Sequence, residues 1–294
     1  SKFVKVKVAI YSINNDLKSI KIIDRLINFF KSKNITVLLE EKLSDFVSSQ
    51  NNSTFNSYKQ LDKDTDIFIA LGGDGTVLRS LNYVRQNGIP ILGVNTGRLG
   101  FLASIAENDI HNALNDIVQK KYSIETRQLI EVKLEQCNQS LNNFALALNE
   151  VSISRENTTS MITIHTKIND DYLNVFWADG LVIATPTGST GYSMSSGGPI
   201  ISPSSKSFVI TPIAPHNLNA RPLVLDDNDV ITIHVEGRAK SHNLSLDTRI
   251  YSLPMNTSIT IKKAEKPVFF VRPNNYNFFE TLRNKLFWGF DNRN

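Results

Sequence analysis

Residues 65–81 read TDIFIALGGDGTVLRSL, and this stretch determines the fold expected for the first half of the chain. Residues 67–71 are apolar and β-prone, and the run is short enough to form one buried strand. Two glycines and Asp74 follow, and then the start of a helix. Because glycine admits positive φ and a helix start exposes N–H groups, such a turn favours binding of phosphate or sugar. The residues expected to surround phosphates are Gly72, Gly73, Gly75 and Thr76.

Asp74 lies where the buried strand ends, which is the edge of an α/β sheet that binds ligands. The turn matches neither GxGxxG nor GxxxxGK[ST], so the usual dinucleotide-binding and P-loop interpretations do not apply. Two interpretations of Asp74 stay open from these residues: an N-cap in a structural turn, or a carboxylate that acts on a ligand. We expect Gly73 to use positive φ, so that Gly73→Val would be disruptive.

The composition is that of an ordinary soluble protein, and 294 residues suffice for two compact domains. The net charge of +4 is spread along the chain without a basic run, which argues against nucleic acid as a partner. Cys137 is the only cysteine, so an internal disulfide is excluded and a reducing compartment is expected. The histidines show no zinc-binding spacing, and the apolar runs are shorter than a membrane span. These observations predict a cytoplasmic protein without nucleic-acid or membrane partners.

Strands and helices alternate in the first part of the chain. Apolar periodicity predicts strands at 4–11, 35–39, 67–71 and 90–94, and helices at 17–30, 76–86 and 109–118. This spacing indicates parallel strands joined by crossover helices. Residues 44–60 are rich in Ser and Asn and are expected to form a mobile connection, with a short helix as the alternative.

Short β-prone runs with turn signals follow after about residue 122, as in an all-β domain. They are residues 124–136, 142–155, 161–168, 172–177, 180–184, 208–212, 229–235, 243–246, 258–263 and 268–272. An apolar helix is predicted at 276–290 and is expected to pack back onto the first domain. The predicted fold is therefore an α/β N-terminal domain with a parallel sheet, residues 1–121 with 274–294, and an all-β, sandwich-like domain of residues 122–273.

A second set of polar residues follows apolar runs in this β-rich part. Residues 184–199 read ATPTGSTGYSMSSGGP, and their hydroxyl and N–H groups can donate to phosphate or ribose oxygens. Asn149 and Glu150 end an apolar run, and an amide beside a carboxylate can bind vicinal sugar hydroxyls. The alternatives are a flexible loop at 184–199 and a surface turn at Asn149 and Glu150. Together with Asp74, these features favour a ligand that has phosphates, ribose and a base.

The sequence resembles the NAD kinase family over essentially the whole chain except residues 44–60. The matching blocks are GGDGT (72–76), NTGRLGFLA (95–103), NE (149–150), DGLVIATPTGSTGYSMSSGGPI (179–200), PIAPHNLNARPLVL (212–225) and FFETLRNKLFW (278–288). Turns similar to GGDGT also occur in diacylglycerol-type lipid kinases and phosphofructokinases, whereas the block at 179–200 is highly specific to the family.

This resemblance implies an ATP-dependent NAD kinase, a transferase that moves the γ-phosphoryl group of ATP to the 2′-hydroxyl of the adenosine ribose of NAD, giving NADP. It also implies Mg²⁺ or another divalent cation with ATP, a homodimer or homotetramer, and Asp74 as the proton acceptor. The NAD-binding residues that it implies are Asp74, Gly75, Arg79, Asn149, Glu150, Trp177, Asp179, Thr187, Thr190, Gly191, Tyr192, Ser193, Met194, Ser195, Ala214 and Arg249.

Some of these assignments have alternatives. Asp247-Thr248-Arg249 replaces the Asp-Gly-Gln of many family members. Trp177 occupies a variable position, where an aromatic ring could stack on nicotinamide or simply pack. Arg79 either reaches a phosphate or is a solvated cation. Two other functions stay open, a lipid or sugar kinase that shares the GGDGT turn and a dinucleotide-binding sensor without turnover.

Overall fold

The computed structural model describes residues 6–49, 52–61, 64–84, 87–97, 99–135, 141, 144–156, 160–273 and 276–287. The chain divides into two compact units, Ser1–Thr126 with Val268–Asn294 and Arg127–Pro267. Some sequence predictions fall outside the described residues: those for Cys137, for residues 288–290 of the last helix, and for element ends at 4–5, 85–86, 136 and 142–143.

The regular elements are listed here with their bounds. The strands are β1 (Lys7–Ser12), β2 (Thr36–Glu40), β3 (Ser53–Phe55), β4 (Ile67–Leu71), β5 (Ile91–Val94), β6 (Tyr122–Arg127), β7 (Ile130–Glu135), β8 (Leu146–Ala147), β9 (Glu150–Arg155), β10 (Ile162–Ile168), β11 (Asp171–Ala178), β12 (Gly180–Ala184), β13 (Ser207–Ile213), β14 (Leu223–Asp226), β15 (Ile231–Glu236), β16 (Ser241–Leu246), β17 (Arg249–Pro254), β18 (Ser258–Lys263) and β19 (Val268–Pro273). The helices are α1 (Leu17–Ser32), α2 (Asp74–Val84), α3 (Ile110–Val118), α4 (Tyr192–Ser195) and α5 (Phe278–Leu286).

The first unit is built on a seven-stranded sheet with the order β3-β2-β1-β4-β5-β19-β6. β1 pairs in parallel with both β2 and β4, so that Val8 lies opposite Val37 on one side and Ile67 on the other. Ile23 and Phe30 of α1 are buried in the same apolar core as these strands. Buried parallel strands covered by helices are what the alternation of apolar runs predicted.

The carboxyl edge of this sheet positions Asp74. β4 ends at Leu71, and α2 begins only three residues later, at Asp74. β5 pairs in parallel with β4 and ends at Val94, opposite Leu71. Because parallel strands end at the same edge, the segment that follows Val94 starts beside the turn that carries Asp74.

The second unit is a sandwich of two six-stranded sheets, ordered β11-β10-β15-β18-β7-β8 and β14-β13-β12-β9-β16-β17, with antiparallel pairs such as β10–β15 and β12–β13. Strands β10, β15 and β16 alternate buried and partly exposed residues, as expected when one face is covered. One apolar cluster contains Ile164 and Ile233 of the first sheet together with Ile183 and Leu244 of the second. The sheets therefore share a core, which confirms the predicted sandwich.

The C-terminal helix α5 belongs to the first unit, as the sequence predicted. The ring of Phe278 lies 5.9 Å from that of Phe101, measured between centroids, and Leu282 is buried. Among the described residues, no helix has both the length and the apolarity that a bilayer crossing requires.

Three strands were missed by the sequence analysis. β3 lies inside the segment 44–60 and pairs in parallel with β2, so the expected mobile connection contains a strand at the edge of the sheet. Its three residues are too few for a period-two pattern to be visible. β14 and β17 were also missed. Both lie at the edges of their sheet, and they expose Val224 and Ile250, so their apolar pattern is weak.

Two predicted runs were assigned to the wrong sheet. The run at 124–136 is two strands, of which β6 lies in the parallel sheet and β7 in the sandwich. The run at 268–272 is β19, which pairs in parallel with β5 in the first unit. Both runs are β-prone like their neighbours, and local sequence does not specify which strand a β-prone segment will pair with.

Candidate active site

The carboxylate of Asp74 is held by the loop that follows β5. Its Oδ1 accepts hydrogen bonds from the N–H groups of Leu102 at 2.9 Å and Ala103 at 3.0 Å, and its Oδ2 from that of Phe101 at 3.0 Å. Nζ of Lys285, on α5, donates to Oδ2 at 3.2 Å. These donors come from distant parts of the chain, so the contacts do not support the N-cap interpretation of Asp74.

This environment keeps Asp74 ionised. Burial raises the pKa of its carboxyl group, but the N–H of Ala103, the ammonium of Lys285 and the N–H groups of Leu102 and Phe101 together outweigh burial, and the pKa lies below its ordinary value. At neutral pH the group is therefore an anion that accepts hydrogen bonds. Such a carboxylate is better suited to orienting a hydroxyl group than to acting as a strong base.

Close contacts explain why glycine occupies two positions near Asp74. Gly72 has φ of 149°, and an added Cβ would lie 2.2 Å from Thr76 Oγ1. At Gly100 an added Cβ would lie 1.9 Å from Asp74 Oδ1, so a side chain there would displace the carboxylate. Gly73 has open space for a Cβ and a φ that is not positive, so the expectation of positive φ at Gly73 is wrong. Positive φ occurs at Gly72 because the chain turns out of β4 there.

The other residues assigned to this turn lie on α2. Gly75 has open space where a Cβ would be, and Thr76 is buried. Arg79 is exposed and lies near enough to Tyr11 that its charge lowers the pKa of that phenol, against a larger increase caused by burial. A contact between Arg79 and a phosphate stays a prediction.

In the second unit, Asp247 holds the backbone of the segment that carries Asn149 and Glu150. Its carboxylate accepts hydrogen bonds from the N–H groups of Leu148 at 2.8 Å, Asn149 at 2.8 Å and Glu150 at 3.2 Å. A Cβ on Gly188 would lie 2.0 Å from the carbonyl oxygen of Asn149, so the loop at 184–199 contacts this segment closely. The structure thus brings together two of the features that the sequence singled out.

Glu150 has the opposite electrostatic character to Asp74. Burial, together with the nearby Asp247 carboxylate, raises the pKa of Glu150 to about 8, although the N–H of Tyr192 opposes the increase. Glu150 is therefore mostly protonated at neutral pH. Its Oε2 and the Oδ1 of Asn149 are buried and have no hydrogen-bond partner among the described residues. Because buried polar atoms are rarely left unpaired, these two atoms are candidates for contacts with a ligand.

The polar residues of the loop at 184–199 fall into two groups. Thr187 and Ser193 are buried and bonded within the fold: Arg127 donates to Thr187 Oγ1 at 3.0 Å, and the Ser193 and Thr211 hydroxyls lie 2.8 Å apart. Of the other residues predicted to bind NAD in this loop, those that are exposed or partly exposed are Thr190, Gly191, Tyr192, Met194 and Ser195. The second group presents more surface to a ligand.

Three of the predicted NAD-binding residues, Trp177, Asp179 and Ala214, lie at the ends of β11 and β13. Asp179 forms an ion pair with Arg155 at 3.0 Å. Trp177 is half exposed, and its ring centroid lies 4.5 Å from that of His216. Ala214 is exposed and has φ of 43°. Whether Trp177 also stacks on nicotinamide stays a prediction.

Arg249 binds the backbone of the segment that precedes Asn149 in the chain. Its guanidinium donates to the carbonyl oxygens of Phe144 and Leu146 and lies 4.6 Å from the centre of the Phe144 ring. These contacts give Arg249 a structural task in this segment, and a direct contact with NAD stays a prediction.

The sequence did not reveal several of the residues that contact Asp74 or the segment of Asn149 and Glu150. The donors at 101–103, Gly100 and Lys285 all lie in blocks quoted for the resemblance, so the sequence marked their segments without revealing their contacts with Asp74. Asp247 was noted only as part of a departure from the family pattern. Its neighbours, Leu148 to Glu150, are about one hundred residues away in the chain, and no local signal links them.

Comparisons with known proteins show the family of this chain. The family model described as the ATP-NAD kinase N-terminal domain matches residues 8–122, and the model of the ATP-NAD kinase C-terminal domain matches residues 148–273. Proteins named NAD kinase from Christiangramia forsetii and Flavobacterium psychrophilum are each 46% identical to this chain over 294 residues, which cover 98% of this chain and 100% of each relative.

Two solved structures are similar to this chain. The crystal structure of an NAD kinase from Archaeoglobus fulgidus in complex with ATP has a TM-score of 0.75 and 26% identity, covering 96% of this chain and 98% of that one. The crystal structure of yeast NADH kinase complexed with NADH has a TM-score of 0.86, covering 97% and 89%, and at 23% identity it shows the fold alone. The chain therefore belongs to the NAD kinase family, and its activity is the ATP-dependent conversion of NAD to NADP.

Proposed function

We propose that Asp74 is the catalytic carboxylate of this reaction. It accepts a hydrogen bond from the 2′-hydroxyl of the adenosine ribose of NAD while that oxygen attacks the γ-phosphorus of ATP. A bond forms between the 2′-oxygen and the γ-phosphorus, the bond from the γ-phosphorus to the bridging oxygen breaks, and ADP leaves. The hydroxyl proton passes to Asp74 and then to solvent. The observation that carries this proposal is an ionised carboxylate, fixed by three backbone N–H groups, at the carboxyl edge of the sheet.

The low pKa of Asp74 is compatible with this role. Phosphoryl transfer depends mainly on alignment and charge neutralisation, and its loose transition state needs little help from a strong base. A carboxylate that is fixed and anionic before the substrate arrives can align the reacting hydroxyl without first having to be ordered itself.

The glycine turn is assigned to the phosphates of ATP. The open space beside Gly73 and Gly75 leaves room for phosphate oxygens near the start of α2, where N–H groups and the helix dipole favour anions. Mg²⁺, or another divalent cation, would accompany ATP. Within the described part of the chain, no group of three or more His, Cys, Asp or Glu residues fits a metal ion, so most ligands of the cation would come from the nucleotide.

NAD is assigned to the residues of the second unit. The unpaired oxygens of Asn149 and Glu150 suit ribose hydroxyl groups, since a protonated Glu150 both donates and accepts hydrogen bonds. The further contacts are assigned to Trp177, Asp179, Thr187, Thr190, Gly191, Tyr192, Ser193, Met194, Ser195, Ala214 and, less directly, Arg249.

We extend the proposal to the assembly and location of the chain. On the family resemblance, we assign it as a cytoplasmic homodimer or homotetramer, with nucleotide phosphates bound by the first unit and NAD by the second. The mass in solution, measured by light scattering, tests the assembly, and a monomeric mass would contradict it.

The activity is tested by incubating the protein with NAD, ATP and Mg²⁺ and reading NADP with an NADP-specific dehydrogenase. NADP formation excludes both a sensor without turnover and a kinase that acts only on lipids or sugars. If the folded protein bound NAD but formed no NADP, the sensor interpretation would replace the kinase interpretation.

A further inference from the structure

The acceptor positions of Asp74 are all occupied. An ionised carboxylate offers about four lone-pair positions on its two oxygens. Leu102 and Ala103 donate to Oδ1, and Phe101 and Lys285 donate to Oδ2. In this geometry the carboxylate has no free position for the ribose hydroxyl that the proposed function assigns to it. One of the four donors must leave before the hydroxyl can bind.

Three of these donors are fixed in the loop at 100–103. They are consecutive backbone N–H groups, and Gly100 N–H donates to the carbonyl oxygen of Ala103 at 3.2 Å. The buried Arg272 donates to Ser104 Oγ at 2.8 Å and approaches the carbonyl oxygen of Leu102 at 3.5 Å. Moving one of these N–H groups would require the loop to change conformation.

Lys285 is the donor that can leave at low cost. Its ammonium is at the end of a flexible side chain, 35% exposed, and it joins Asp74 through one hydrogen bond of 3.2 Å. The same ammonium lies 4.7 Å from the centre of the Phe101 ring, a cation–π contact that keeps it near the carboxylate without fixing its position. Among the described cations, Lys285 is the one that forms an ion pair with Asp74.

We infer that Lys285 is a positioning residue that occupies the Oδ2 position of Asp74 until ATP binds, and that its ammonium then moves to the triphosphate and leaves Oδ2 to the ribose hydroxyl. This inference rests on the proposed function of Asp74. An ammonium is a compact charge with three donors, so a triphosphate, which carries several negative charges, attracts it more strongly than a single carboxylate does. ATP binding and exposure of the acceptor would therefore be coupled through a residue of α5.

The test compares Lys285→Met with Lys285→Arg, and uses Arg283→Met as a control that removes an exposed cation from the same helix. For Lys285→Met, kcat/KM for ATP should fall roughly ten- to hundred-fold, as expected for loss of a charge-assisted hydrogen bond, while KM for NAD stays nearly constant. The acid limb of the pH–rate profile should move to higher pH, because removing the cation raises the pKa of Asp74. Lys285→Arg should recover most of the loss, and Arg283→Met should resemble the wild type.

A second readout needs no turnover. In the substrate-free protein, NMR titration of the Asp74 carboxyl carbon should show a higher pKa in Lys285→Met than in the wild type. An unchanged kcat/KM for ATP, or equal losses for ATP and NAD with an unshifted pH profile, would overturn the inference. Those outcomes would leave the proposed function intact, whereas full turnover in Asp74→Asn would remove the proposed function itself.

Discussion

Asp74 in the first unit and Glu150 in the second are both partly buried carboxyl groups, yet they differ in charge at neutral pH. Four donors face Asp74, and its pKa lies below the ordinary value in spite of burial. Glu150 has the Asp247 carboxylate nearby and an Oε2 without a partner, and its pKa is raised to about 8. Burial raises the pKa of both groups, but four donors outweigh it at Asp74, whereas the Asp247 carboxylate adds to it at Glu150.

This difference suits two tasks. Asp74 is an anion that three backbone N–H groups fix before substrate arrives, as a group that orients a reacting hydroxyl should be. Glu150 and the adjacent Asn149 each have a buried oxygen without a hydrogen-bond partner among the described residues, and a ligand would supply that partner. On the proposed function, Asp74 acts in the transition state, and Glu150 with Asn149 recognises a sugar.

The largest expected effect is that of Asp74→Asn. The amide cannot take the hydroxyl proton, so kcat should fall about 10²- to 10⁴-fold, the usual contribution of a general base. The Kd for NAD, measured by calorimetry, should change little. Asp109→Asn, an exposed acid in the same unit, is the matched control and should keep full activity. Equal turnover in Asp74→Asn and the wild type would show that Asp74 is not part of the chemistry.

Gly100→Ala tests the geometry of the same carboxylate without changing its chemistry. The new Cβ would lie 1.9 Å from Asp74 Oδ1 and must displace it. A shift of about 1 Å in a catalytic group can reduce the rate on the order of 10²-fold. Gly97→Ala is the control, since its Cβ would meet only Asn95 Oδ1 at 3.9 Å. If steady-state kinetics gave the two variants equal kcat, the account of how Asp74 is positioned would be wrong.

Glu150→Gln tests the second centre. A carboxyl group whose pKa rises on folding loses stability as the pH increases from its unfolded value, 4.5, through about 8. The wild type should therefore bear a penalty of roughly 3 kcal/mol at pH 7, which the neutral glutamine removes. Urea unfolding from pH 5 to 8 should show the variant becoming progressively more stable than the wild type. The exposed Glu135→Gln should show no such trend, and a constant difference for Glu150→Gln would contradict the account.

His242 extends the comparison to a basic group. It is buried, neither ring nitrogen has a hydrogen-bond partner among the described residues, and burial lowers its pKa to about 4. Between the unfolded value of 6.5 and about 4, the unfolded chain binds more protons, so stability falls as the pH decreases through this range. At pH 5 the loss should be about 2 kcal/mol. His242→Leu should abolish this loss in urea unfolding, and an unchanged acid dependence would show that His242 is not its source.

The strands and helices that were predicted best are those whose apolar pattern is local. The bounds of β4, β12 and β18 agree with the predicted runs at 67–71, 180–184 and 258–263. β3, β14 and β17 were missed because each is an edge strand whose structure depends on its neighbour more than on its own apolar residues. β19 was found as a strand, but its parallel partner β5 is far away in the sequence.

The site residues also divide into those that the local sequence marks and those that it does not. Sequence identified Asp74, Asn149 and Glu150, because each follows an apolar run and has a side chain with suitable chemistry. It could not reveal that Lys285 donates to Asp74, or that Asp247 holds the backbone of residues 148–150, since these contacts join segments separated by long stretches of chain. The charges of Asp74 and Glu150 were equally beyond prediction, because they depend on donors that only the folded chain brings together.

A crystal structure of Asp74→Asn with NAD and a non-hydrolysable ATP analogue tests the central claim most directly. The account predicts that the side chain of residue 74 lies within about 3 Å of the 2′-oxygen of the adenosine ribose, the reach expected of a proton acceptor. It also predicts that Asn149 and Glu150 contact NAD. A 2′-oxygen that lies beyond hydrogen-bond reach of residue 74, with the γ-phosphate in place, would contradict the account.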